Sequence, residues 1–228
     1  MTVMIERDQR ILPFQNGDVV SKERFIETLE GIGDVRGVEL LEGMVFVSPP
    51  IRFFEHSEPQ FLMTQWLGEY LRVTPFVKVG PTTSIDLMGQ NVPEPDVCMF
   101  LLHPTQGGCR INEKGMVQGI PELVVEIAAS TISKDLHIKK RVYQQAGIPE
   151  YVVWRTEQNA IDWFILRKGS YERLEASAAD GFFKSEVFPG LWLDSDAMVR
   201  GDLMKVLDVS RLGLGTDEHR KFAETLKK

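Results

Sequence analysis

The stretch PELVVEIAASTISKDLHIKKRVYQQAGIPEYVVW, Pro121 to Trp154, constrains the fold more than any other part of the chain. Glu122 to Ala129 is a short apolar run of strand length that reads, apart from one residue, as buried on both faces. Ser133 to Ala146 reads as a helix stopped by Gly147, and Glu150 to Trp154 as a second strand. A strand, helix, strand unit of this kind predicts an α/β fold in which helices flank a central mixed sheet. The exceptional residue is Glu126. A carboxylate in the middle of such a strand costs free energy unless a cation, a metal or a set of hydrogen bonds compensates it.

The remaining elements are readable from caps, turns and periodicity. Ser21 to Gly31 is a short helix with Ser21 at the N-cap and Phe25, Ile26 and Leu29 on one face. Val38 to Pro49 is a β-hairpin turning at Glu42-Gly43. From about Glu55 to Val73, Leu62, Trp66, Leu67, Tyr70 and Leu71 recur at helical intervals among polar residues. FVKVG, TTSIDLMG and DVCMFLL read as strands, and His103 to Gly119 as a loop without periodicity. That loop lacks the GK[ST] ending of a nucleotide-binding P-loop. A β-rich tail follows, with IDWFILRKGSYERLEAS turning at Lys168-Gly169-Ser170, then FFKSEVFPGLWLD. Residues 1–195 are expected to form one domain, and 196–228 a C-terminal helical extension.

Composition excludes several classes. With 228 residues, 43% of them hydrophobic, the chain can bury one substantial core. No apolar run approaches the ~20 residues of a membrane helix, and MTVMIERDQR lacks the apolar centre of a signal peptide, so a cytoplasmic protein without a membrane partner is expected. Cys98 and Cys109 are too few for a disulfide framework or a zinc site. A net charge of −7 rules out nucleic-acid binding through overall positive potential, leaving a local basic surface or a metal ion for such a contact.

Asp96 after Pro95, Glu126 and Lys139 form a candidate chemical group. If DVCMFLL and ELVVEIAA are neighbours in one sheet, Asp96 and Glu126 can approach each other, and paired carboxylates with water and phosphate oxygens suit Mg²⁺. Asp135, Lys139 and Tyr143 are four residues apart and share a helix face, which Lys140 leaves by about 100°. Lysine there suits a nucleophilic water or an anionic transition state.

Pro95-Asp96, VVEI, DLHIKKRVYQQAG and PEYVVW together resemble the PD-(D/E)XK nuclease superfamily, and more narrowly the restriction-endonuclease-like Uma2 family. VELLEGMVFVSPP, His56 at the start of a helix, EPDVCMF, PELVVEIAAS, AIDWFILRKGSYERL and SEVFPGLWLD extend the resemblance over most of the chain. It implies a restriction-endonuclease-like sheet and metal-dependent hydrolysis of DNA. In that scheme Asp96 and Glu126 bind Mg²⁺ or Mn²⁺, metal-activated water attacks phosphorus, and Lys139 orients the water or offsets negative charge. The superfamily signature would put lysine two residues after Glu126, where this chain has Ala128; in Uma2-like sequences the lysine lies on the following helix, at the position of Lys139 rather than Lys140.

Each residue also has an ordinary reading. Asp96 is typical of a turn, Glu126 of a structural ion pair or a water-facing edge strand, and Lys139 of a solvated helix face. His56 has either an auxiliary role or a surface hydrogen bond, and Glu39 lies near the site or on an exposed strand. Trp154, Trp163 and Trp192 read as core, and Lys139, Lys140, Arg141, Arg167 and Lys168 as a phosphate track or as scattered surface cations. The rival functions are a nuclease-fold module binding nucleic acid or protein without turnover, and a hydrolase of small phosphoesters. A homodimer matching the symmetry of duplex DNA is also expected, with Met198, Leu203, Val206 and Leu207 supplying the contact.

Overall fold

A computed structural model of the protein describes residues 13–33, 35–129 and 133–228. The N-terminal stretch read as lacking a signal peptide, and Ser130 at the end of PELVVEIAAS, lie outside the described residues. Ser21 caps α1 (Lys22–Ile32) by accepting from Arg24 N. The hairpin of β1 (Val38–Leu41) and β2 (Met44–Val47) turns through Glu42 and Gly43 at φ of 54° and 79°, the left-handed pair that matches strand twist. A π turn over Phe53–Ser57, in which Ser57 N donates to the Arg52 carbonyl five residues back, opens α2 (Glu58–Val73).

Next come β3 (Val77–Pro81), β4 (Ile85–Asp86), β5 (Val97–Leu101), β6 (Cys109–Ile111), β7 (Val117–Gly119) and β8 (Leu123–Ala128). A second π turn, Lys134–Lys139, leads into α3 (Lys140–Ala146), which stops at Gly147 in the left-handed region. β9 (Glu150–Arg155), β10 (Ala160–Arg167), β11 (Ser170–Arg173), β12 (Phe183–Lys184) and β13 (Trp192–Leu193) follow. The chain ends in α4 (Ser195–Val199), α5 (Leu203–Leu214) and α6 (Asp217–Thr225).

The central sheet runs β11-β10-β9-β8-β5-β3. Only β8 and β9 are parallel, because the segment joining them contains α3 and must cross over the sheet; the other neighbours are antiparallel, so the sheet is mixed. Alternation along β8 sorts its side chains between two cores. Leu123, Val125 and Ile127 pack with Met63, Trp66, Leu67 and Tyr70 of α2, whereas Val124 and Ala128 pack with Val142 and Tyr143 of α3. Glu126 therefore points to the α3 face. A third cluster, Phe14, Phe25, Val38, Leu40, Val45 and Val92, seats the β1-β2 hairpin on α1.

Residues 103–119, expected as a loop, contain β6 and β7, which join β4 in a three-stranded sheet; runs this short carry no readable period. The β-rich stretch after Trp154 adds β10 and β11 to the central sheet. On α2 the buried side is marked by Met63, while Leu71 is exposed. Trp154 and Trp163 are buried, but Trp192 is half-buried under the Lys184 ammonium, 4.1 Å from its ring. Met198 and Val206, expected at a dimer contact, lie inside this chain's own core, and the large apolar side chains that α5 exposes are Met204 and Leu212. No helix among the described residues is long and apolar enough to cross a membrane.

Candidate active site

The pairing of β5 with β8 brings the two carboxylates together. Val97 lies opposite Val125, so one further step of the antiparallel register sets Asp96 opposite Glu126, and strand alternation puts both on the α3 face. The Asp96 backbone is fixed through its carbonyl, which accepts from Thr82 N at 3.0 Å and from Gln60 Nε2 at 2.8 Å. Its carboxylate accepts from Ile127 N at 2.6 Å through Oδ2 and meets His56 Nε2 at 2.8 Å through Oδ1. His56 arrives on the first π turn, and its partner is the candidate site rather than the surface.

Lys139 arrives on the second π turn. Far from being solvated, it is 2% exposed, with Nζ 2.7 Å from Glu39 Oε1 and 2.8 Å from Glu126 Oε1. Tyr143, one turn further, donates its hydroxyl to Glu126 Oε1 at 2.6 Å. Glu39 is buried and not on an exposed strand face; it also accepts from Lys134 Nζ at 2.8 Å and from Glu94 N at 2.9 Å. Asp135 is buried on the same turn, where its backbone carbonyl accepts the Tyr151 hydroxyl at 2.9 Å. All seven residues singled out from the sequence thus lie in one cluster.

The electrostatics follow from several carboxylates sharing one buried ammonium. Burial pushes the Glu126 carboxyl well above the usual carboxylate range; Lys139 pulls it back, and Asp96, Asp135 and Glu39 push it up again. Burial alone would lower the Lys139 pKa, but the surrounding carboxylates, Glu126 first, hold it well above an ordinary lysine. Glu39 behaves oppositely to Glu126: the cost of its burial is outweighed by Lys139 and Lys134, and its carboxyl stays below the usual range. For His56, burial works downward, yet the hydrogen bond and charge of Asp96 leave the imidazole pKa raised.

The cluster opens into a cleft of about 530 Å³, lined by Glu39, His56, Asp96, Glu126, Asp135 and Lys139, with Arg36, Ile51, Arg52 and Lys134 among its other residues. Among the described residues no group of three or more His, Cys, Asp or Glu side chains stands ready as a complete ligand set. Mg²⁺ takes one or two carboxylates and completes its shell with water and phosphate oxygens, so Asp96 and Glu126 fit it without a third protein ligand. Burial is the main cause of the raised Glu126 carboxyl, and the like-charge crowding that adds to it is what a divalent cation would relieve.

Lys134, which bridges to Glu39 at the cleft, carried no signal in the sequence: nothing in a run of charged helical residues marks the one that reaches back to a hairpin. Of the cations read as a phosphate track with Lys139, Lys140, Arg141, Arg167 and Lys168 do not line the cleft. Lys140 Nζ lies 3.5 Å over the Phe164 ring, Arg141 is paired with Glu42 at 2.7 Å, and Arg167 with Glu186 at 2.5 Å.

The mixed sheet with helices on both faces and two carboxylates meeting at its centre is a nuclease-type fold. It superposes on the crystal structure of "a putative nuclease belonging to DUF820" from Anabaena variabilis ATCC 29413 with a TM-score of 0.57 and 12% identity, covering 79% of this chain and 99% of that one. The chain belongs to the Uma2 family, described as "Putative restriction endonuclease", whose family model matches residues 23–196. No curated protein matches the chain.

Proposed function

We propose that the chain is a metal-dependent endonuclease hydrolysing phosphodiester bonds of DNA, in which Asp96 and Glu126 hold Mg²⁺ or Mn²⁺ and Lys139 serves the reacting phosphate. The observation that carries this reading is that Asp96 and Glu126, each one step beyond the Val97–Val125 pair of β5 and β8, line one open cleft beside a buried lysine 2.8 Å from Glu126. A divalent cation bound there would supply Lewis-acid activation of water and neutralise phosphate charge. The chain's own residues do the positioning. His56 and Ile127 N fix the Asp96 carboxylate, and Tyr143 fixes that of Glu126. Lys139 has three N–H donors and gives two to Glu39 and Glu126, so the third can donate to an attacking water or a phosphate oxygen. The same reading assigns residues 1–195 to the nuclease unit and 196–228 to a helical extension.

A second reading, a nuclease-fold module that binds nucleic acid or protein without turnover, is favoured by one observation: Glu126 Oε1 is already taken by both Lys139 and Tyr143. Cleavage of supercoiled plasmid and of single-stranded DNA in Mg²⁺, Mn²⁺ or EDTA, with wild type, Asp96→Asn and Glu126→Gln, separates the two. Metal-dependent cutting lost in both amide variants, together with loss of Mn²⁺ binding by calorimetry, is the expected result. Cutting retained by either variant removes the site assignment, and a folded wild type that cuts nothing favours the binding module.

A further inference from the structure

Two side chains at the edge of the cleft have no place in the chemistry above. Ile51, Arg52, Glu55 and His56 line the cleft, whereas Phe53 and Phe54 between them do not; they are 61% and 75% exposed. Their rings are 5.1 Å apart and nearly perpendicular, so they offer aromatic faces in two directions. The backbone beneath them is not a slack loop. His56 N and Ser57 N both donate to the Arg52 carbonyl at 3.1 Å, and Thr156 Oγ1 donates to the Glu55 carbonyl at 3.0 Å, tying the turn to the end of β9. The tryptophans buried in the core cannot serve as such faces.

We propose that Phe53 and Phe54 form a stacking platform for unpaired nucleobases next to the phosphate held in the cleft. The inference rests on the nuclease reading and names the part of the substrate which that reading leaves undefined. Exposed aromatic rings beside cationic side chains bind single strands, because every unpaired base has a free π face and the guanidinium takes the neighbouring phosphate. Arg52 and Arg36, both at the cleft, supply that cation. A second copy of this chain fits the patch less well. The two rings together expose roughly 300 Å², well below the ~800 Å² that each partner of a stable interface contributes.

The test is fluorescence anisotropy in EDTA with three probes of equal length: single-stranded oligodeoxythymidine, its duplex with oligodeoxyadenosine, and an abasic strand that keeps the phosphates. Wild type should bind the thymidine strand at least about tenfold tighter than the abasic strand. The Phe53→Ala/Phe54→Ala double variant should lose that preference and bind the abasic strand as wild type does. Circular dichroism and sedimentation of the variant should be unchanged, since both rings lie outside the core.

Equal binding of all strands by wild type, or a double variant that keeps the base preference, overturns the platform while leaving the nuclease reading standing. A double variant that turns a dimer into a monomer also overturns it and makes the patch a self-interface. Absence of binding to any nucleic acid in EDTA overturns the platform, and the nuclease reading then stands or falls on the plasmid cleavage assay with metal.

Discussion

Removing the Lys139 ammonium tests the geometry of the cluster independently of any catalysis. In Lys139→Met the side chain keeps its length, but Glu39 and Glu126, each within 2.8 Å of the lost charge, remain buried. Glu39 retains Lys134 as an ion-pair partner, whereas Glu126 keeps the neutral Tyr143 hydroxyl and, among the described residues, no cation. Breaking a buried pair from one side costs about 3–5 kcal/mol. For a chain of this size each kcal/mol moves the midpoint of thermal unfolding by about 2–4 °C, so the variant should melt about 6–20 °C below wild type. Urea unfolding followed by far-ultraviolet circular dichroism in EDTA gives the free energy directly. Lys139→Met/Glu126→Gln should recover part of the loss, because the amide removes the stranded charge. A single variant within about 0.5 kcal/mol of wild type, the range of an ordinary surface substitution, would refute the placement of Lys139 between two buried carboxylates.

Glu150 makes a prediction about pH. It is fully buried, accepts from Ser185 Oγ, Glu186 N and Val187 N, and burial above all raises its pKa from the usual 4.5 to about 7. The folded state therefore holds a proton that the unfolded chain has released between these values, and stability should fall by about 3 kcal/mol as pH rises from about 4.5 to 7. Urea titrations across that window should show a shallower fall in Glu150→Gln; an identical slope would remove the contribution. Gly213→Ala, inside α5, should destabilise by about 1–3 kcal/mol although alanine normally favours a helix, because a Cβ there would press on the Gly190 carbonyl and sit 2.8 Å from the Trp192 ring; a raised melting temperature would contradict the packing of α5. Lys140→Ala should leave plasmid cleavage within about threefold of wild type, since Lys140 lies over Phe164 and not in the cleft; loss of cleavage would reverse the assignment of the two neighbouring lysines.

Legibility in the sequence followed the strength of local signals. Glu126 stands out because an apolar run makes a single carboxylate conspicuous, and the left-handed turns at Glu42-Gly43 and Lys168-Gly169 declare their hairpins. Lys139, Asp135 and Tyr143 are legible together because four-residue spacing survives the change from π to α geometry closely enough to keep them on one side. The burial of Lys139 is invisible, since its cause is Glu39, about a hundred residues away on a hairpin that a charged helical run cannot announce. The same holds for β6 and β7, three residues each, which pair with one another and gain β4 beside β7, and are too short to carry a pattern of their own.

The two π turns bear on what changes in length the protein can tolerate. A π turn holds one residue more than the α-helical turn it replaces, so deleting a residue from Phe53–Ser57 or from Lys134–Lys139 would leave a shorter helix with regular bonding. That local improvement would also rotate the residues before the deletion by about 100° relative to those after it. His56 would then no longer keep both its bond to Asp96 and its turn under Phe53, and Lys139 would lose its register with Asp135. Both turns are thus places where the number of residues matters as much as their identity, and a variant one residue shorter there would have a more regular helix and a disrupted candidate site.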